Sequence, residues 1–191
     1  MPAISFRTLL AASLVLMMAF QPQASAQEKQ PFSVDSANSQ LRKSVYFLNA
    51  VFSIHLPDYI VTALEQGVDL PLAMEIETYR QRSFWFNKRI VYIKQQYRVG
   101  YDALLDEYSV FDVNAGMQLY YPTLEKAIAS LTVLIDYPGL DNNALVPGEH
   151  YNLRLRFGIE SRELPLPLQS SSLLENDWSL ASDWFEWELN P

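Results

Sequence analysis

Two long runs of alternating apolar and polar residues set the frame. Residues 70–82 put Leu72, Met74, Ile76 and Thr78 on one side and Glu75, Glu77, Tyr79 and Gln81 on the other. Residues 89–99 repeat the pattern, with Val91, Ile93, Tyr97 and Val99 opposed to Tyr92, Lys94, Gln96 and Arg98. Successive side chains of a strand point to opposite faces, so these runs, joined through Asn87-Lys88, predict a long antiparallel hairpin. Residues 108–113 and 117–121 predict a second hairpin through Asn114-Ala115-Gly116, where Gly116 supplies a positive φ. Residues 151–157 alternate as well, with Tyr151, Leu153, Leu155 and Phe157 inward. Residues 41–54 are apolar on both faces, which predicts a strand buried on two sides.

Helical spacing is confined to two short stretches. Residues 57–66 open on Pro57-Asp58 and stop at Gly67, while Thr123 can cap a segment with Leu124, Ala127, Ile128 and Leu131 on one face. Pro138-Gly139 and Pro147-Gly148 predict the bounds of an exposed loop. The prolines of Leu164-Pro165-Leu166-Pro167-Leu168 predict an extended edge segment, and residues 178–189 a last strand or two with Phe185, Trp187 and Leu189 on one face. The expected fold is therefore mainly β: an antiparallel β-sandwich, or a strongly curved sheet, with two short connecting helices. An α+β layer is the alternative.

The amino terminus follows a different rule. Arg7 precedes twelve residues, 9–20, with only Ser13 polar, and then Ala24-Ser25-Ala26 offers the small-x-small pattern of a signal peptidase site. Twelve apolar residues are short of the roughly 20 that a spanning helix needs. Residues 1–26 are expected to be a cleavable signal peptide, 27–31 a flexible leader and 32–191 one β-rich globular domain, placing the protein in the periplasm or outside the cell. Cleavage would remove only Arg7 from the charge count, leaving 22 acids against 13 bases. That acidic balance argues against a nucleic-acid binder. The absence of cysteine removes thiolate chemistry and disulfide stapling from consideration.

Catalytic patterns are sparse. His55 and His150 are the only histidines and lack metal-motif spacing, so no metal or cofactor is expected. Neither a Gly-x-Ser-x-Gly elbow nor a glycine-rich phosphate loop occurs. Glu75 and Glu77 share a strand face about 7 Å apart, a separation compatible with paired-carboxylate glycoside hydrolysis; an envelope carbohydrate hydrolase is the alternative function. Among the carboxy-terminal aromatics, Trp184 falls opposite Phe185 and Trp187 and is the one expected to be open to contact.

Charge is segregated. Arg80, Arg82, Lys88, Arg89, Lys94 and Arg98 fall within 19 residues that contain no acid, whereas residues 163–191 hold six acids and no base. Such a hairpin faces solvent, pairs with that acidic carboxy-terminal segment or meets an anionic partner. Phe84-Trp85-Phe86 at its tip cannot all enter one core. The leading expectation is a non-enzymatic binding module in which Arg80, Arg82, Trp85, Lys88, Arg89 and Lys94 engage an anionic envelope component or an acidic protein surface. A partner subunit of a membrane complex is a third reading, marked by a large exposed apolar patch.

Several short segments, taken together, resemble a bacterial envelope family of unknown function, DUF4390. They are residues 63–72 (ALEQGVDLPL), Arg82 with Phe84-Trp85, the series Tyr101, Leu104, Tyr108, then Thr123-Leu124-Glu125-Lys126-Ala127, residues 164–168, and Asp177-Trp178 with Ser182 and Trp184. The resemblance spans nearly all of the chain after the signal segment. It implies a secreted or periplasmic protein of Gram-negative bacteria and supplies no catalytic residue.

Overall fold

The computed structural model describes residues 30–82, 86–166 and 180–189. The signal segment, Trp85 and Trp178 lie outside the described residues. Nine strands form two antiparallel sheets among those described. The smaller has the order β1-β2-β7, with β1 at Phe32–Arg42, β2 at Val45–Ile54 and β7 at Val133–Asp141. The larger has the order β6-β5-β4-β3-β8-β9. Its strands are β3 (Leu70–Arg80), β4 (Lys88–Asp102), β5 (Glu107–Asp112), β6 (Met117–Tyr121), β8 (Tyr151–Ile159) and β9 (Phe185–Leu189). The fold is mainly β and sandwich-like, without closure into a barrel.

The period-two patterns place the core between the sheets. Leu72, Met74 and Ile76 of β3 and Leu153, Leu155 and Phe157 of β8 are buried against Leu48, Phe52 and Phe32 of the smaller sheet. Phe157 sits centrally, its ring 5.2 Å from that of Phe52, 6.0 Å from Phe32 and 6.4 Å from Tyr97. Two polar contacts tie the layers: Trp187 Nε1 donates to Ser39 Oγ at 3.1 Å, and Tyr137 Oη to Gln95 Oε1 at 3.4 Å.

The helices are short connectors. Helix α1 (Asp58–Glu65) buries Ile60 and Leu64 and ends before Gly67, whose φ of 88° closes it. Helix α2 (Leu124–Ala129) starts where Thr123 Oγ1 accepts the Lys126 amide hydrogen.

Three strand expectations need correction. Residues 41–54 are not one strand: Leu41 and Arg42 finish β1, and the chain turns at Lys43, with φ of 59°, and Ser44. Strand β2 is also buried on one side only, through Tyr46, Leu48, Ala50, Phe52 and Ile54, while Val51 is exposed. Pro138-Gly139 lies inside β7 rather than in a loop. At this sheet edge a missing proline donor costs no ladder bond on the solvent side. A Cβ at Gly139 would sit 2.5 Å from Leu48 Cδ1, so only glycine lets β7 approach β2 there.

Candidate functional site

The outward face of the larger sheet carries a lattice of compensated charge. Strand register sets Glu75 beside Lys94 on β4 and Arg156 on β8, and Glu77 beside Tyr92 and Arg154. In one row, Arg89 Nη1 donates to Glu77 Oε1 at 3.1 Å, and Arg154 donates from Nε and Nη2 to Glu77 Oε2 at 2.8 and 2.6 Å. The row continues as Arg154 pairs with Glu186 at 3.6 Å and Tyr79 Oη donates to Glu186 Oε2 at 2.7 Å. In the next, Glu75 accepts from Tyr92 Oη at 2.8 Å and from Arg156, while Lys94 pairs with Glu160. Trp184 packs under both arginines, with guanidinium carbons 4.3 Å (Arg154) and 4.5 Å (Arg156) from its ring centroid.

Burial makes this lattice energetically serious. Glu77 is only 8% exposed although it points away from the core, because Arg89 and Arg154 close over it. For Glu75, burial pushes the carboxyl up, but hydrogen bonds from Tyr92 and Arg156 with their neighbouring positive charge outweigh it and hold the group below its ordinary value. Burial, then the hydrogen bond to Glu75, pushes the Tyr92 phenol up to about 12; burial and Glu186 do the same for Tyr79.

Glu75 therefore binds its proton less readily folded than unfolded. Its stabilising share is complete above the ordinary carboxylate value of 4.5 and is lost as pH falls through the lowered folded value. Thermal unfolding followed against pH should show the midpoint dropping through that acidic window, with a shallower slope in Glu75→Gln. Equal slopes in the two proteins would remove Glu75 from the account.

The same contacts bear on hydrolysis. A glycosidase pair needs one carboxyl that arrives protonated. Both Glu77 oxygens instead accept guanidinium hydrogens, and Glu75 is biased towards its ionised form. This geometry makes them anchors for arginine rather than a proton donor and its partner.

The six basic-hairpin candidates divide. Arg80, at the end of β3, lies 3.6 Å from Glu149, and its buried Nε has no partner. Arg89 pairs with Glu77 while its side chain stays 61% exposed, and Lys94 pairs with Glu160. Arg82 and Lys88 are exposed at the open end and make no ion pair among the described residues. Phe86, two residues before Lys88, is 95% exposed. Trp85 is not among the described residues. Lys94 stands about 20 Å along the strand from Lys88, so it belongs to the lattice rather than the tip. The remaining hairpin base, Arg98, is exposed and likewise makes no ion pair among the described residues.

What residue counting missed was the source of the acids. Glu77, Glu149 and Glu160 pair with the hairpin bases, and Glu186 of the acidic carboxy-terminal segment pairs with Arg154 instead. The outward positions of β3 and β8 in their alternating runs held the signal: acids at 75 and 77, arginines at 154 and 156.

The opposite end of β4 is acidic. Asp102, Asp106 and Glu107 surround a turn in which Asp102 Oδ1 accepts the amide hydrogens of Leu104 and Leu105, with Glu65 nearby through Tyr108. Leu104 projects from this turn 97% exposed.

No three or more His, Asp or Glu residues are grouped to hold a metal among the described residues, and no helix there is long and apolar enough to cross a membrane. No curated protein and no solved structure matches the chain. A family model described as a domain of unknown function, DUF4390, matches residues 29–188, and the chain belongs to that family.

Proposed function

We propose that the protein is a non-enzymatic binding module of the bacterial cell envelope, secreted or periplasmic in a Gram-negative cell, that engages an anionic partner through the open end of the β3–β4 hairpin. One observation carries the reading: Phe86, 95% exposed, falls between Arg82 and Lys88 in the sequence, and both bases are exposed with no ion pair among the described residues. Exposed cations at the same hairpin end as an exposed ring combine long-range steering with an apolar contact. Arg89 adds charge while tethered to Glu77. Arg80 and Lys94, each held by a glutamate, support the hairpin rather than the contact.

Vesicles of anionic and of zwitterionic lipid, with anionic envelope polymers alongside, test this by co-sedimentation across a salt series. Retention should fall as salt screens the contact. At an anionic surface each Lys or Arg contributes about 1 kcal/mol, so Arg82→Gln with Lys88→Gln should weaken binding roughly thirtyfold. Salt-independent retention, or equal retention of the double variant, contradicts the proposal.

A further inference from the structure

The outward face also holds a groove of about 460 Å³ between the β3–β4–β8 surface and the 160–163 segment. Its floor is made of small residues. Ala73 lies in register with Gly158, and Gly158 meets Ala181 so closely that a Cβ there would sit 2.5 Å from the Ala181 Cα. Larger side chains on this floor would fill the depression.

The walls carry three acids and three bases, with Glu75 and Glu160 already paired to Arg156 and Lys94. A simple anion or cation entering would have to compete with an existing partner and leave another charge uncompensated. A hydroxyl group is both donor and acceptor, carboxylates only accept, and ammonium and guanidinium groups only donate. A wall carrying two fixed carboxylate–cation pairs, Glu75 with Arg156 and Glu160 with Lys94, therefore matches neighbouring hydroxyls without disturbing the charge balance. Tyr92, 44% exposed, adds a ring at the rim, and Trp184 stiffens the Arg156 guanidinium from behind. Aromatic edges and faces of this kind accept the apolar C–H side of a sugar ring.

We infer that this groove is a binding site for a neutral oligosaccharide, held through its hydroxyls by Glu75, Lys94, Arg156 and Glu160 and packed on Tyr92. It is separate from the hairpin end and recognises a ligand without charge, so either site can fail without the other.

Calorimetric titration of the full chain with cellotetraose, maltotetraose and N-acetylchitotetraose, at low and high salt, tests it. At least one should bind at roughly millimolar affinity or tighter, with little salt dependence. Ala73→Leu, which fills the floor, and Tyr92→Ala, which removes the ring, should each weaken binding roughly tenfold. Should Ala73→Leu fail to fold, Tyr92→Ala decides, since that side chain lies 44% exposed on the outward face and outside the buried core. The inference is overturned if none of the three probes binds, if both folded variants bind as the parent does, or if only a charged oligomer such as oligogalacturonate is bound.

Discussion

Phe157→Ala should cost about 4 kcal/mol of stability, within the range for deleting a buried aromatic side chain. The ring is 1% exposed and is contacted from both layers, by Phe32 and Phe52 of the smaller sheet and Tyr97 of the larger. Truncation leaves a cavity between two sheets whose backbones are each pinned by their own ladders, so neither can collapse to fill it. Equilibrium denaturation in urea should show a lower midpoint at an unchanged slope. A loss below about 1 kcal/mol would mean that the layers close over the gap and that the aromatic cluster is not their main junction.

Glu77→Ala should cost about 3 kcal/mol, more than is expected of a charge on an exposed strand face. The loss comes less from a missing attraction than from what is left behind: Arg154, half-buried against Trp184 and Tyr79, would keep its positive charge with only the 3.6 Å pairing to Glu186. Replacing both members, Glu77→Leu with Arg154→Met, should recover much of the loss, because the buried carboxylate and the half-buried guanidinium leave together while Glu186 keeps its hydrogen bond from Tyr79 and Arg89 stays largely solvated. Chemical denaturation of Glu77→Leu, Arg154→Met and the double variant closes the cycle. Additive losses would show that Glu77 and Arg154 act independently despite their 2.6 Å contact.

The way the lattice forms explains which parts of the molecule were legible beforehand. Strands β3, β4 and β8 announce themselves because one face is apolar and the other polar, β5 and β6 through the Asn114-Ala115-Gly116 loop between them, and helices α1 and α2 carry their own punctuation at Pro57, Gly67 and Thr123. Strand β1 does not, because after Phe32 it runs along an edge with mostly polar side chains; its place comes from pairing with β2. Strand β7 was hidden by Pro138-Gly139, a turn signal whose local meaning is overridden by the close approach to Leu48. The basic hairpin was legible as charge but not as pairing. Glu77 and Arg154 are 77 residues apart, and only the order β4-β3-β8 makes them neighbours. The groove was least legible, since it depends on where the 160–163 and 180–184 segments return to the sheet rather than on any run of residues.

Strand β4 continues without a break for 15 residues from Lys88 at the basic end to Asp102 at the acidic one, a length of about 50 Å. A body with opposite signs at tips that far apart experiences a torque in the field of any charged wall. Were the proposed anionic partner a surface, that torque would turn Arg82 and Lys88 towards it and Leu104 away from it within the screening length. Fewer collisions would then be wasted on the wrong orientation, and capture would speed up with no individual contact having become tighter.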